Sequence, residues 1–436
     1  MARVLAGLPN SHDCDMVKIQ TAKGFTMISV GEARGLIDSS VQVMATKKIN
    51  ISTLMTNGIP GDHDHVLAEP IIADRPLPPM DRVTMDGIAI LYSAYENGQR
   101  RFKITGCQRA GEPALTLKNG GQECVEVMTG SILPTGCNAV LRYEDLDIKD
   151  SVATIKDGTP VEQYMYVHRK GSDSAAGDVL IKAGTRLGPA EWAVAASVGQ
   201  ENITVVGKPR VALVATGDEI LPVEAMPRDF EIRGSNLYAL AAAMGQRGFP
   251  VSSTTHLRDD LTQMHDKLSG LLNSHDVIIT TGGVSKGKFD HLPEVLTDLR
   301  VTKIFHEVSQ RPGKPFWFGV GERGQLVFGL PGNPVSVLVG FYAHVLPALI
   351  KMSGGTYQKR LARLAAPVTF KPELTLFQPV TVSMGDDGVM CALPKSHNTS
   401  GDYVRLSGTD GVIELPATRQ SFAEGELFPF HSWSLN

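Results

Sequence analysis

Val211-Ala212-Leu213-Val214-Ala215-Thr216-Gly217-Asp218-Glu219 is the stretch on which the fold turns. An uninterrupted apolar run, of the kind a strand covered on both faces requires, opens into a polar loop with a glycine and two carboxylates. The arrangement recurs twice. The run from 277 to 280 leads into Thr281-Gly282-Gly283-Val284-Ser285-Lys286-Gly287-Lys288-Phe289-Asp290, and Val327-Phe328-Gly329-Leu330 leads into Pro331-Gly332-Asn333-Pro334-Val335-Ser336. Between the first two loops, Ser235 or Asn236 is placed to cap a helix over 237–247, with Leu240, Ala243 and Met244 as its apolar stripe and Gly248 at its end. A strand over 251–255 and a helix over 261–273 follow. Strand-helix-strand order at this spacing predicts right-handed crossovers and a mostly parallel sheet. Ligands of such sheets bind outside the carboxyl ends of the strands, so the rim carrying the three loops is the expected working site.

Each loop has its own chemistry. In the third, Gly332 permits an unusual backbone angle, Asn333 suits an N-cap and Pro334 the first helical position. A helix over 335–350 then presents the free amides of Val335 and Ser336 at its positive end, where an oxyanion or phosphate is stabilised. Taken alone, the tetrapeptide serves equally as a plain helix-start turn. In the second loop Gly282 and Gly283 allow close backbone approach to a phosphate, beside Ser285, Lys286 and Lys288, while Asp290 suits a metal ion. In the first, Asp218 and Glu219 either cap the following segment or, converging with Asp290, hold a hard cation such as Mg2+. Gln310-Arg311-Pro312-Gly313-Lys314-Pro315 adds two cations across a rigid turn, able to neutralise an oxyanion from fixed directions.

The rest of the chain surrounds this unit. With 436 residues the protein is too long for one ordinary core, and about 150 residues per domain suggests three or four. Residues 1–26 lack periodicity and read as an arm. Ser29 with Glu32 forms a capping-box pattern before a short helix ending near Ser39. Proline-rich sequence from Arg75 to Met80 introduces short β-type runs, an inserted β module holding two loop tripeptides, Met85-Asp86-Gly87 and Met128-Thr129-Gly130, which locally read as turns. Residues 177–186 read as a hairpin and 191–199 as a short helix, and these segments are expected to pack back on the first helix. From about Arg360 short β runs return and predict a small barrel. The expected division is an arm at 1–26, a discontinuous domain of 27–66 and 163–206, an inserted β domain at 67–162, an α/β domain at 207–355 and a β-barrel at 356–436. Hydrophobic residues make up 42% and charged residues 20%, with a net charge of −4, which offers no basic field for nucleic acid. Five scattered cysteines without a C-x-x-C pair, no continuous apolar leader and no run of about 18 apolar residues predict a cytoplasmic protein with reduced thiols and no membrane span.

Thr84-Met85-Asp86-Gly87, Val127-Met128-Thr129-Gly130, Ala215-Thr216-Gly217-Asp218-Glu219, Thr281-Gly282-Gly283-Val284-Ser285, Arg311-Pro312-Gly313-Lys314-Pro315 and Leu330-Pro331-Gly332-Asn333-Pro334-Val335-Ser336, in this order, resemble the molybdopterin molybdenumtransferase family, which includes the E domain of gephyrin. The likeness runs from about Ile28 to the C-terminus. It implies an enzyme that inserts molybdate into adenylylated molybdopterin and releases AMP, acting with Mg2+ as a homodimer of four-domain subunits. By the same resemblance Asp86 and Thr129, with Gly130, reach the cleft from the partner subunit, and Asp218, Glu219 and Asp290 serve metal and pyrophosphate chemistry. Thr216, Gly217, Ser235, Asn236, Gly282, Gly283, Ser285, Lys288, Lys314, Gly332 and Asn333 line the substrate site. Arg311, Pro312 and Ser336 border the oxyanion pocket, approached by Ser400 from the loop at 396–402.

Two positions depart from the family pattern. Gly234 stands where relatives often carry Asp, and Glu307 where several carry Lys. They keep a non-catalytic molybdopterin-binding scaffold in view, and the Gly282-Gly283-Val284-Ser285 loop, of a type such a domain would share, keeps in view an adenylyltransferase that makes the adenylylated intermediate.

Overall fold

A computed structural model describes residues 27–57, 65–284, 290–396 and 401–434. The expected arm, Ser285, Lys288 and Ser400 lie outside the described residues. Within the central unit, β1 (Val211–Thr216), β2 (Val251–Leu257), β3 (Val277–Thr281), β4 (Thr302–His306), β5 (Trp317–Val320) and β6 (Leu326–Leu330) form one sheet in the order β2-β1-β3-β6-β5-β4. The first four in that order run parallel. β5 runs antiparallel to both of its neighbours. The apolar run that opens β1 is used on both sides, because successive side chains of a strand point to opposite faces. Val211 and Leu213 enter one core with helix α2 (Asn236–Gln246), and Ala212 and Val214 enter the other with helices α3 (Leu261–Ser274) and α4 (Leu292–Asp298).

The first core also takes the long helix α5 (Pro334–Met352), which passes through a π-helical turn at Phe341–Val345. Pro347 gives the cause, since it has no N–H for the carbonyl of Ala343 four residues earlier and its ring crowds that oxygen. The freed carbonyl is taken by Arg34, whose Nε donates to it over 3.0 Å from helix α1 (Val30–Ser40). Among the described residues α5 is the one helix apolar and long enough to cross a membrane, and 78% of its most apolar window is buried in this core.

The capping box at Ser29 and Glu32 is present, with Ser29 Oγ accepting from the Glu32 amide and Glu32 Oε2 from the Ser29 amide. Yet the first helix does not pack on the 163–206 segments as expected. Val30, Ala33 and Ile37 are buried in the α/β core, because the stripe meets α5. What runs together instead are the two legs of chain on either side of the insertion. Thr46–Asn50 pairs with Asn202–Val206, Ile71–Ile72 with Val179–Ile181, and Arg82–Val83 with Val167–His168, all antiparallel. The expected hairpin at 177–186 is therefore a single strand with left-handed glycines at 177 and 184 that pairs across a hundred residues of chain.

The insertion holds a six-stranded sheet in the order 139–142, 87–90, 123–127, 101–108, 152–155, 146–149. At the C-terminus, β7 (Arg360–Leu364), β8 (Thr375–Met384), β9 (Met390–Pro394), β10 (Gly411–Leu415) and β11 (Leu427–Ser432) close on themselves, since β8 pairs with both β9 and β10, and β11 with both β10 and β7, while β7 pairs with β9. The ring leaves no edge within the barrel. Cys107, Cys124, Cys137 and Cys391 are free thiols.

Candidate active site

The carboxyl ends of β1, β3 and β6 lie side by side, so their loops share one rim. Gly282 and Gly283 are both left-handed, at φ of +90° and +68°, and pack so closely on the first loop that a Cβ at Gly282 would lie 2.6 Å from the Thr216 carbonyl oxygen. The Gly282 amide donates to the Leu330 carbonyl at 3.0 Å, which ties the second loop to the start of the third. Asn236, at the start of α2, donates from Nδ2 to the Gly332 carbonyl at 2.7 Å. Gly332, expected to take an unusual backbone angle, is not among the positive-φ glycines, and a Cβ there would meet only the Gly282 Cα at an ordinary contact distance of 3.9 Å. Asn333 and Pro334 open α5 as the N-cap and first helical residues, and Ser235 takes the N-cap position of α2, neither with a side-chain capping bond.

These loops enclose a cleft of about 930 Å³. Thr216, Gly217, Glu219, Ser235, Asn236, Gly282, Gly283, Asp290, Gly332 and Asn333 all line it, as does Gly234. The barrel contributes Gly401 and Tyr403. On the wall, Asn236 Oδ1 and Thr281 Oγ1 are buried polar atoms without a partner among the described residues.

The acidic groups are arranged differently from the expectation of a ready trio. Glu219 folds back over Gly217, where a Cβ would come within 2.5 Å of Glu219 Oε2. Asp218 accepts from the backbone amide of Asp259 at 3.3 Å. No group of three His, Cys, Asp or Glu among the described residues is placed to hold a metal ion by itself, so Asp218, Glu219 and Asp290 are not a preformed cage. Asp259 is the residue that sequence reasoning missed. It lines the cleft, and burial, reinforced by the charges of Asp218 and Glu219, raises its proton affinity above the ordinary carboxylate range. Its signal was the doublet Asp259-Asp260 after a strand: Asp260 caps α3 by accepting from the Gln263 amide at 2.8 Å, which leaves its neighbour free for other work.

Asp218 does not line the cleft, and four further expected residues stand off its wall. Arg311 is exposed, with its guanidinium 6.0 Å from the centre of the Phe370 ring, and Lys314 is exposed. Pro312 is buried, and Ser336, only 2% exposed, lies beneath the 312–313 turn, where a Cβ on Gly313 would sit 3.7 Å from Ser336 Cβ. This turn and the helix start thus form a second wall next to the cleft, joined to it through Pro315.

The two tripeptides of the inserted domain meet each other. Asp86 Oδ1 accepts from the Thr129 amide at 2.6 Å and from its hydroxyl at 2.7 Å, which holds the Asp86 carboxyl below its usual range. Gly87 is required by close approach, since a Cβ would fall 1.8 Å from the Leu141 oxygen, and Gly130 is left-handed at φ of +85°. Asp86, Thr129 and Gly130 do not line the cleft of their own chain.

The domain description "MoeA N-terminal region (domain I and II)" matches residues 28–199, "Probable molybdopterin binding domain" 212–351 and "MoeA C-terminal region (domain IV)" 361–433. A molybdopterin molybdenumtransferase from Synechocystis is 40% identical over 379 residues, covering 87% of this chain and 95% of that protein. The chain belongs to the molybdopterin molybdenumtransferase family. A Staphylococcus aureus member is 31% identical over 368 residues, covering 83% of this chain and 87% of that protein. The molybdopterin biosynthesis moeA protein from Pyrococcus horikosii superposes with a TM-score of 0.77 at 29% identity, covering 94% of this chain and all of that one (100%). The family read from the ordered motifs is the family found, and with it a transferase of molybdenum cofactor biosynthesis built on an α/β domain with a C-terminal β-barrel.

Proposed function

We propose that the protein inserts molybdate into adenylylated molybdopterin and releases AMP, with Mg2+ as its metal, as a homodimer in the cytosol. The observation that carries this reading is the convergence of three strand-end loops, Asn236, and the carboxylates Glu219, Asp259 and Asp290 on one cleft. Its volume of about 930 Å³ suits a nucleotide-linked pterin, near the upper end of small-molecule sites. The Gly283 backbone and a helix start receive phosphate oxygens.

The donor set fits Mg2+. The carboxylates offer hard oxygen atoms, and the raised proton affinity of Asp259 reflects crowded negative charge that a cation relieves. Mg2+ typically keeps waters and substrate phosphates and needs only one or two carboxylates, so a closed cage is not required. Asp218, Glu219, Asp259 and Asp290 are the groups that would hold it, and when bound it supplies neutralisation of phosphate charge. The chain itself orients the substrate through Asn236 Oδ1, Thr281 Oγ1 and the Gly283 backbone, with Tyr403 lining the same cleft. Arg311, with the amides of Val335 and Ser336, receives the tetrahedral molybdate dianion. Asp86 and Thr129, absent from their own cleft, complete the site of the partner subunit.

The test mixes purified protein with adenylylated molybdopterin, Mg2+ and molybdate, and follows AMP and cofactor formation. Molybdate-dependent AMP release that chelation abolishes supports the reading. Binding without AMP release would make the protein a non-catalytic scaffold, and ATP consumption with free molybdopterin an adenylyltransferase.

A further inference from the structure

Gln310 and His344 are each only 1% exposed, yet both are polar. Gln310 Nε2 donates to the carbonyls of Pro312 and Gly313, each at 3.2 Å, and its Oε1 lies 2.8 Å from His344 Nε2. Because the two carbonyls can only accept, the amide must turn its NH2 toward them and its oxygen toward the imidazole, which places the His344 proton on Nε2. Burial pushes His344 well below its ordinary value, so the ring is neutral. Its Nδ1 finds no partner among the described residues, and the ring packs 4.9 Å from that of Phe316. Packing alone favours an apolar side chain at 344.

His344 belongs to the π turn of α5, the helix whose first turn holds Val335 and Ser336. One rigid element therefore carries the helix-start amides at one end and, two turns on, the group that locks Gln310. Gln310 in turn brackets the Arg311–Gly313 turn from below, against Ser336. We propose that Gln310 and His344 are positioning residues that set the gap between Arg311 and the start of α5, and so determine which tetrahedral oxyanion is held there. This rests on the reading of that gap as the oxyanion side of the site. Without the bracket the two carbonyls lose their donor and the turn relaxes outward, carrying the Arg311 backbone with it.

The experiment compares Gln310→Met, His344→Gln and the double variant Gln310→Met/His344→Leu with the wild type. Two readouts are taken: steady-state kinetics with molybdate and with adenylylated molybdopterin varied, and protection of Arg311 by molybdate against phenylglyoxal, followed by peptide mass spectrometry. The second reports anion occupancy without turnover. Gln310→Met is expected to raise the molybdate KM about tenfold and to lower molybdate's advantage over sulfate as a protectant. The KM for adenylylated molybdopterin stays within about twofold. His344→Gln, whose amide can donate to Gln310 Oε1, retains wild-type values. The double variant leaves no unpaired side chain between the two positions, so it folds, and it keeps the raised molybdate KM. An unchanged molybdate KM and unchanged protection in the folded double variant would overturn the proposal, as would a wild type in which molybdate does not protect Arg311. Wild-type protection without molybdate-dependent AMP release would sink the proposed reaction instead, and loss of that protection in Gln310→Met would still uphold the bracket.

Discussion

Asn236 and Gly332, ninety-six residues apart, are joined by a 2.7 Å hydrogen bond from the Asn236 amide to the Gly332 carbonyl, which fastens the start of α2 to the loop that opens α5. One side chain thus ties the third loop of the cleft to α2. Asn236→Ala removes the bond and is expected to cost about 1 kcal/mol, while Asn236→Asp sets a carboxylate against a carbonyl and costs about 1–3 kcal/mol. Both lower AMP release, Asp more than Ala. Denaturant unfolding and the AMP assay read the two effects, and an Asp variant as active as wild type would remove this bond from the site.

Asp259 gives the opposite sign for stability. Its folded-state proton affinity lies above that of the unfolded chain, so its charge destabilises the fold above the ordinary carboxylate range, and that penalty disappears as pH falls and the group protonates. Asp259→Asn is therefore expected to unfold no lower than wild type at pH 7 while AMP release falls about a hundredfold. Retained turnover in the folded variant would exclude Asp259 from the chemistry.

Asp86 and Thr129 are tied to each other but stand away from their own cleft. If each site borrows them from the neighbouring subunit, Asp86→Asn and Asp259→Asn are each inactive as homodimers. Mixed after subunit exchange, they recover about one quarter of wild-type activity, because half the dimers then contain one intact site. No recovery in mixtures proven to contain heterodimers would mean that one chain supplies both residues of each site.

Acid stability is governed away from the cleft, where Glu414 joins α1 to the barrel. Burial works against its charge, but hydrogen bonds from His431 and Arg34 outweigh that and hold Glu414 at about 2, against an ordinary 4.5. A depressed carboxylate stabilises the fold above its unfolded value and loses that contribution as pH falls from about 4.5 to about 2. His431 acts in the same direction, since burial lowers its proton affinity and acid must charge it in place. Glu414→Gln is expected to lose roughly 3 kcal/mol at pH 7 and to show a flatter decline in acid. The comparison is urea unfolding from pH 7 to 3.

The central unit was legible because its chemistry is local. Val211–Val214 announces a strand buried on both faces, and Asn333-Pro334 marks a helix start without reference to the rest of the chain. Pairings over long distances were not legible: Val179–Ile181 looks like half of a hairpin until Ile71–Ile72 comes alongside. The stripe of α1 specified a buried face without naming what buries it. At the cleft, residues next to glycine-rich loops were legible, but Asp259 was hidden by its neighbour's capping role, and Asp86, locally an Asp-Gly turn, was singled out only by the family resemblance. The unusual backbone angle expected at Gly332 is found at Gly282 and Gly283 opposite, because the tight approach there is made by the second loop on the first.

Gln310–Arg311 forms a short parallel ladder with Thr375 and Leu376, the first residues of barrel strand β8. The cation assigned to molybdate is thus stitched by main-chain bonds to a module whose own ring is closed and stiff. A tilt of the barrel must either unzip those two rungs or drag Arg311 along, so the posture of the C-terminal unit and the reach of that guanidinium form a single mechanical degree of freedom.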